Sequence, residues 1–424
     1  MDSHAAIVGA QLRAVREAAG VSLAALARRI PYGKSVLAYY ETGERTPTSD
    51  VIAWYEKCFG DIQDPVATLL NLGKADVERR SFLRTGYSAA LSTAVLLPGW
   101  LAPIGSTAPG KESGLRHFGK ADVAAVRDVM HLFSQMDQRL GGGRGRTAVI
   151  QYLTDEVTGY LDGSYSSDSV RRDMFSAAGE LAYLAGWMAF DNGEHSVAQR
   201  YFAAATKLAA ESDDQPLTGH ILRAMAHQAI DLGHYPEGLR LAEASVGGDR
   251  YRMACPREKS LLKVVYGKAL SAAGLATESA KALIEAENDL AAASDVEPEP
   301  ARVFFFSEAS LAHETACALR DAGDLSAAAR HFEISARKRK VTKFARTHAV
   351  TLGYLGTVQA RMGEIERACS TWASALTAMS DVQSGRTRDV AREIRETVAP
   401  YAGKQISGVD EVAAQASNYL AGIR

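Results

Sequence analysis

Leu184 to Ala209 reads LAGWMAFDNGEHSVAQRYFAAATKLA. Apolar residues recur at helical spacing on both sides of the polar turn DNGEH, which predicts two helices folded back on each other. Small and large residues hold fixed places in this stretch. Counted from Gly179, the places eight, twenty, twenty-four and twenty-seven hold Gly186, Ala198, Phe202 and Ala205. Counted from Gly219 they hold Ala226, Gly238, Ala242 and Ser245, and from Ser260 they hold Gly267, Ser279, Leu283 and Ala286. Counted from Ala309 they hold Ala316, Ala328, Phe332 and Ser335, and from Ala349 they hold Gly356, Ala368, Trp372 and Ala375. The turns DLGHY, AAGLA, DAGDL and RMGEI fall where DNGEH falls in the first unit. Antiparallel helices approach closely only where side chains are small, and a bulky residue of the second helix then fills the gap to the next unit.

The pattern resembles the tetratricopeptide repeat, with Gly or Ala at eight, Ala at twenty, a large apolar residue at twenty-four and Ala at twenty-seven. The units here start 40, 41, 49 and 40 residues apart, against about 34 in that consensus, so the loops between them are expected to be longer. Ala242 is the weakest match, standing where a large residue is expected. MHLFSQMDQRLGGG and RGRTAVIQYLTDEVTGYL predict a helical pair before the array. DVAREIRETV and VDEVAAQASNYLAGI predict another after it, the last serving as a cap.

The N-terminal residues read differently. Ile7, Leu12 and Val15 form an apolar stripe that ends at Gly20, and Ser22 is a good N-cap for a second helix through Leu23, Leu26, Ala27 and Ile30. A third helix is predicted from about Lys34 to Thr42, with Val36, Leu37 and Tyr40 inward, and a fourth opens at Thr46-Pro47-Thr48. Residues 12–47, LRAVREAAGVSLAALARRIPYGKSVLAYYETGERTP, resemble the XRE-type helix-turn-helix domain of the Cro and phage-repressor class. The resemblance rests on Arg16, Gly20-x-Ser22, Leu26-Ala27, Glu41-x-Gly43 and Arg45-x-Pro47. It implies a third helix that enters the DNA major groove by its N-terminal end. Base readout then falls on Gly33, Lys34, Ser35, Ala38 and Tyr39, with Arg13, Arg16, Arg28, Arg29 and Arg45 offered to phosphates. Leu23 stands where many members carry a glutamine, and Gly33 and Tyr39 stand where a small polar residue and an arginine are usual.

RRSFLRTGYSAALSTAVLLPGW, Arg79–Trp100, has the look of a twin-arginine export signal. It follows a whole predicted domain, lacks a clear cleavage site, and its apolar run from Ala89 to Leu97 is too short to span a bilayer. The expected reading is a connector helix packed through Phe82, Leu83, Leu91, Val95 and Leu96. A similar RRxFL segment occurs in actinobacterial XRE-type regulators with helical-repeat tails. LPGWLAPIGSTAPGKESG reads as a linker.

Strand-like alternation is scarce throughout. The expected fold is all-α: an N-terminal helix-turn-helix bundle followed by a tetratricopeptide-like α-solenoid. The expected domains are 1–75 for DNA binding, 76–118 for connector and linker, and 119–424 for the repeats. Places two, five, nine and twelve of each unit face the concave side, offering Tyr183, Trp187, Arg223, His227, Lys268, His313 and Arg320, with Arg361 following near the end, to an anionic or peptide ligand with an apolar part. Peptide-pheromone receptors of similar plan hold their peptides with asparagines, which are missing from those places here. ARKRKVTKFARTH, Ala336–His348, is the most basic stretch and reads as a solvated loop between units, with auxiliary DNA contact or an acidic partner as alternatives.

The net charge of -2 confines any DNA-binding surface to a local patch. Cys58, Cys255, Cys317 and Cys369 form no CxxC pair and have no zinc spacing, as expected of a reduced cytoplasmic protein. No GxSxG, HExxH or phosphate loop is present, so neither an enzyme nor a metal or cofactor is expected. The sequence thus points to a homodimeric transcriptional regulator that reads an inverted repeat in promoter DNA, responds to a small-molecule or peptide effector, and has no membrane partner. The alternative is a repeat adaptor in which the helix-turn-helix is secondary.

Overall fold

The computed structural model describes residues 21–48, 65–77, 117–294 and 299–422 as continuous stretches. Between them it describes positions 9, 12, 13, 16, 17, 51, 54, 55, 58, 87, 88, 91, 92, 95 and 96. The fold is all-α. Among the described residues the strands are His117–Phe118 and Ser164–Tyr165, a short parallel pair. The chain divides into two compact units, one drawn from 1–128, 147–186 and 195–221, the other from 129–146, 187–194 and 222–424.

In the first unit, Leu12, Val21, Leu26, Ile30, Leu37, Tyr40, Val51 and Tyr55 form the core of an N-terminal bundle. Ser22 caps the helix Leu23–Leu26 by accepting from the Ala25 amide at 3.1 Å. That helix is shorter than expected. Arg28 N–H bonds Ala25 O and Arg29 N–H bonds Leu26 O, a tighter winding ahead of Pro31, which disfavours α geometry in the residue before it. The helix Lys34–Glu41 follows.

The helix Pro65–Val77 lies against the π-turn Leu153–Val157 so closely that a Cβ on Gly73 would sit 2.0 Å from Thr154 Cγ2. The backbone of Ser88 exchanges two hydrogen bonds with the Gln199 amide, at 2.8 and 2.9 Å. Most of the RRSFL segment, including Phe82 and Leu83, lies outside the described residues. Leu91 and Val95 are buried and Leu96 is half-buried. No described helix is long and apolar enough to cross a membrane.

The helical pairs pack as the spacing of small residues predicts. In the first unit, a Cβ on Gly186, in the helix Asp168–Asp191, would lie 2.8 Å from the Phe202 ring of the helix His195–Ser212. In the second unit the same relation holds between Gly267 and Leu283 at 3.0 Å and between Gly356 and Trp372 at 2.4 Å. Serines at repeat places add hydrogen bonds between helices of a pair: Ser279 Oγ to Gly267 O, Ser260 Oγ to Ala286 O and Ser335 Oγ to Ala309 O. Gly193, Gly233, Gly274, Gly323 and Gly363 all have φ between 79° and 87° at the turns. In every case the next residue returns its N–H to the carbonyl five positions back, for example Glu364 to Gln359, closing the first helix of the pair.

In the second unit the array ends on the helices Gly385–Val398 and Val409–Gly422, whose Val390, Ile394, Val409 and Val412 share a core with Trp372. The longest repeat spacing holds the 3₁₀ turn Ala301–Val303 and then Phe304–Phe306. This insertion is tied down by Arg302, which donates Nε and Nη2 to the two oxygens of the buried Glu258 at 2.8 and 3.0 Å.

The basic stretch 336–348 corrects its expected reading as a solvated loop. Arg337, Lys338, Lys340 and Lys343 are exposed, but Arg339 and Arg346 are buried. The stretch joins two helices, Leu325–Lys338 and Ala345–Arg361, and its ends turn inward with them.

Gly356→Ala places a methyl group in the Trp372 ring. It is expected to lower stability by about 1–3 kcal/mol, measured by urea unfolding. Gly422→Ala, where a Cβ meets nothing within 4 Å, is the control expected to show no such loss.

Candidate functional site

The helix Lys34–Glu41 of the N-terminal bundle has a buried and an exposed face, and its periodicity decides which residues face out. Leu37, Tyr40 and Glu41 are buried, whereas Gly33, Lys34, Ser35 and Tyr39 are exposed and Ala38 is half-buried. Gly33 is the N-cap and gives no side-chain hydrogen bond, so the first turn presents amides and the Lys34 ammonium outward. Arg28, Arg29 and Arg45 are exposed near this helix in sequence, with Arg45 lying 5.9 Å from the Tyr40 ring. Arg13 is partly exposed and pairs with Glu17 at 2.9 Å.

Arg16 does not join them, which corrects its expected phosphate role. It is 6% exposed and donates Nε and Nη2 to the two oxygens of Glu41, each at 2.6 Å, and Nη1 to Val21 O at 2.8 Å. Tyr55 donates its hydroxyl to the same carboxylate at 2.7 Å. Burial alone would lower the Arg16 guanidinium, but the hydrogen bond and charge of Glu41 raise it. Burial, then the Glu41 charge, push the Tyr55 phenol up. Two residues of the sequence motif therefore lock the bundle behind the exposed helix instead of touching a ligand.

The interior of the bundle is thus locked, and the helix Lys34–Glu41 keeps an exposed face. Residues 7–54 match the family model of a helix-turn-helix domain. No curated protein and no solved structure matches the chain. A helix-turn-helix domain supports a DNA-binding regulator. Within the first unit the helix-turn-helix domain is joined to a repeat helix by a short polar chain. Gln199 binds Ser88, Ser88 Oγ donates to Glu17 at 2.5 Å, and Glu17 pairs with Arg13.

The residues expected to hold a ligand divide three ways. Trp187, Arg223 and His313 line one cavity of about 60 Å³ in the second unit. His227 and Lys268 lie beside it: the cavity residue Glu314 faces Lys268 Nζ at 3.7 Å and His227 Nδ1 at 3.8 Å, and a nitrogen of each side chain approaches Asp231. Tyr183, Arg320 and Arg361 do not join the site. Tyr183 packs on Phe202 and His220 in the first unit, Arg320 pairs with Asp321 over the Tyr354 ring, and Arg361 is exposed.

Several cavity residues fall outside the expected set: Arg339, Arg346, Arg386, Glu314, Phe305 and Phe306. Glu314 neighbours an expected histidine but is out of step with the concave places. The phenylalanines belong to the insertion behind the 49-residue spacing, and two of the arginines to the basic stretch. Those two irregularities were the available signals.

Burial and neighbouring charges compete here. Burial would raise the Glu314 carboxyl, but the neighbouring His227 and Lys268 hold it down to about 2. Burial pushes the His313 imidazole down to about 3, and its Nδ1 lies 2.9 Å from Thr351 Oγ1. Burial also raises the Asp137 carboxyl to about 6, against the pull of Arg346. The four cysteines form no disulfide, and burial pushes the Cys317 thiol up to about 12. Among the described residues no cluster of His, Cys, Asp and Glu is placed to hold a metal ion.

Arg16→Met leaves the Glu41 carboxylate buried without its cation. The expected cost is about 3–5 kcal/mol of stability, read from urea unfolding, with Lys34→Ala unchanged by the same measure. A second outcome concerns pH. The unfolded chain takes up the His313 proton near pH 6.5 but the folded chain only near 3, so this group lowers stability as pH falls through that window. Asp137 acts oppositely, keeping its proton when folded up to about pH 6 and losing it near 3.8 when unfolded. His313→Asn removes the first contribution alone. Its urea midpoint is expected to fall less than the parent's as the pH drops through the histidine window.

Proposed function

We propose that the chain is a sequence-specific DNA-binding regulator of transcription that acts in the cytoplasm by binding, not by catalysis. Its reading helix is Lys34–Glu41, and its tetratricopeptide-like repeats respond to an effector and set the spacing of two reading heads in a homodimer. The observation that carries this reading is the outward presentation of Gly33, Lys34, Ser35 and Tyr39 over an interior locked by Arg16 and Glu41. A lysine at the start of a recognition helix donates to guanine edges, the half-buried Ala38 suits a thymine methyl, and flanking arginines supply affinity through phosphates.

One such domain makes few base contacts. Two of them on an inverted repeat, with half-sites about 34 Å apart or a multiple of that, would supply the missing specificity. An effector shifts this equilibrium only as far as it binds one spacing more tightly than the other. The polar chain from Gln199 through Ser88 to Glu17 and Arg13 supports coupling of the first repeat to the reading head.

The test is selection of bound fragments from sheared genomic DNA of the source organism by the full-length protein at several salt concentrations. Enriched fragments are expected to share an inverted repeat. The double variant Lys34→Ala, Ser35→Ala is expected to lose about 1–3 kcal/mol of discrimination per good base contact. Recovery without a shared site, vanishing as salt rises, would reduce the interaction to phosphate attraction and overturn the proposal.

A further inference from the structure

The cavity of the second unit is lined by four arginines, Arg223, Arg339, Arg346 and Arg386, against two carboxylates, Asp191 and Glu314. Both carboxylates are engaged. Asp191 meets Arg346 at 3.0 Å and accepts from the Gly142 amide at 3.0 Å, while Glu314 faces Lys268 and His227. Arg346 has a second carboxylate in Asp137 at 3.0 Å, and Arg386 reaches Asp231 at 3.4 Å.

Arg339 is different. It follows the helix Leu325–Lys338 as its C-cap and is 6% exposed. Its Nη2 donates to Ala309 O at 2.8 Å and to Ser335 Oγ at 3.1 Å, both neutral acceptors. Its Nε is buried and has no hydrogen-bond acceptor, and among the described residues no carboxylate lies within ion-pair distance of it. Burial lowers the guanidinium to about 10, so it is protonated at neutral pH. The Glu314 charge reaches this guanidinium and raises it against burial, but its hydrogen-bond partners are neutral and its idle donor lacks the anion in direct contact that such a group ordinarily holds. The cavity also has an apolar lining in Leu261, Phe305, Phe306 and Val350. Its 60 Å³ exceeds the space of a single water, roughly 10–15 Å³.

We propose that this cavity binds a short-chain organic anion, its carboxylate or phosphate group on Arg339 and its aliphatic body against Phe305, Phe306 and Val350. The inference rests on the reading of the repeats as an effector domain, for which it names the effector's chemistry.

The full-length protein is titrated without DNA with butyrate, ethyl phosphate and the neutral isostere butyramide, at ionic strength held constant with chloride. Melting temperature and the fluorescence of the cavity-lining Trp187 report binding. A saturable rise in melting temperature with butyrate or ethyl phosphate is expected, with little response to butyramide, and the tighter of the two anions tells carboxylate from phosphate. Arg339→Gln is expected to weaken that binding at least about tenfold. Should that variant not fold, Val350→Leu, which narrows the cavity while keeping Arg339, is expected to weaken it as well. Equal response to butyramide, undiminished binding in whichever of these variants folds, or no saturable response to either anion overturns the inference. Because no DNA is present, such a failure leaves the DNA-reading proposal standing. A failed genomic selection likewise leaves a measured anion site intact.

Discussion

Two helices of this chain can pair closely only because one of them lacks a side chain where the other is bulky. Gly186 lies against Phe202, Gly267 against Leu283 and Gly356 against Trp372, each so near that a methyl group would collide. That constraint repeats down the chain, and the turns repeat with it, each closed by a glycine in the left-handed region. Once the pairs are close, the first helices of successive pairs stand side by side in the second unit. Their inner faces then meet around a cavity that no single pair could build.

Charge is used inside both units to hold geometry. In the helix-turn-helix domain, Arg16 and Glu41 form a bidentate pair that Tyr55 completes, fixing the floor beneath the exposed helix. In the second unit, Arg346 bridges Asp137 and Asp191 at 3.0 Å each, drawing together helices that are distant in sequence. Arg302 pins the Phe304–Phe306 insertion on Glu258. Burying an ion is costly unless geometry and hydrogen bonding are nearly complete; the bidentate Arg16–Glu41 and Arg302–Glu258 pairs meet that condition, while Asp137 Oδ1 and Asp191 Oδ1 beside Arg346 lack a hydrogen-bond partner. Arg339 has only neutral hydrogen-bond acceptors and no carboxylate at ion-pair distance among the described residues.

Much of the candidate site was legible in the sequence. The outward positions of the helix Lys34–Glu41 followed from its period, since Leu37 and Tyr40 had to face the core and Lys34, Ser35 and Tyr39 were left outside. Trp187, Arg223 and His313 were likewise found from their places in the repeat. The failures have physical causes. Arg16 looked like a surface cation because a sequence shows a charge but not its partner, and Glu41 stands 25 residues away. Arg339 and Arg346 were hidden in a run of six cations in which the neighbours do face solvent. Tyr183 and Arg320 occupy the right places in their repeats, but place alone does not say how far along an array a cavity extends, and Arg361 stands one position past the last of those places.

By itself the sequence determined the all-α class, the pairing of helices and the outward face of the helix Lys34–Glu41. Each of these depends on spacing within a few dozen residues: a helical period, a small residue opposite a large one, a glycine at a turn. Tertiary structure alone decided which charges are buried and with whom. It alone turned Phe305 and Arg339 into walls of one cavity. Those outcomes depend on desolvation and on contacts among segments far apart in the chain, and neither is written in the spacing of any one of them.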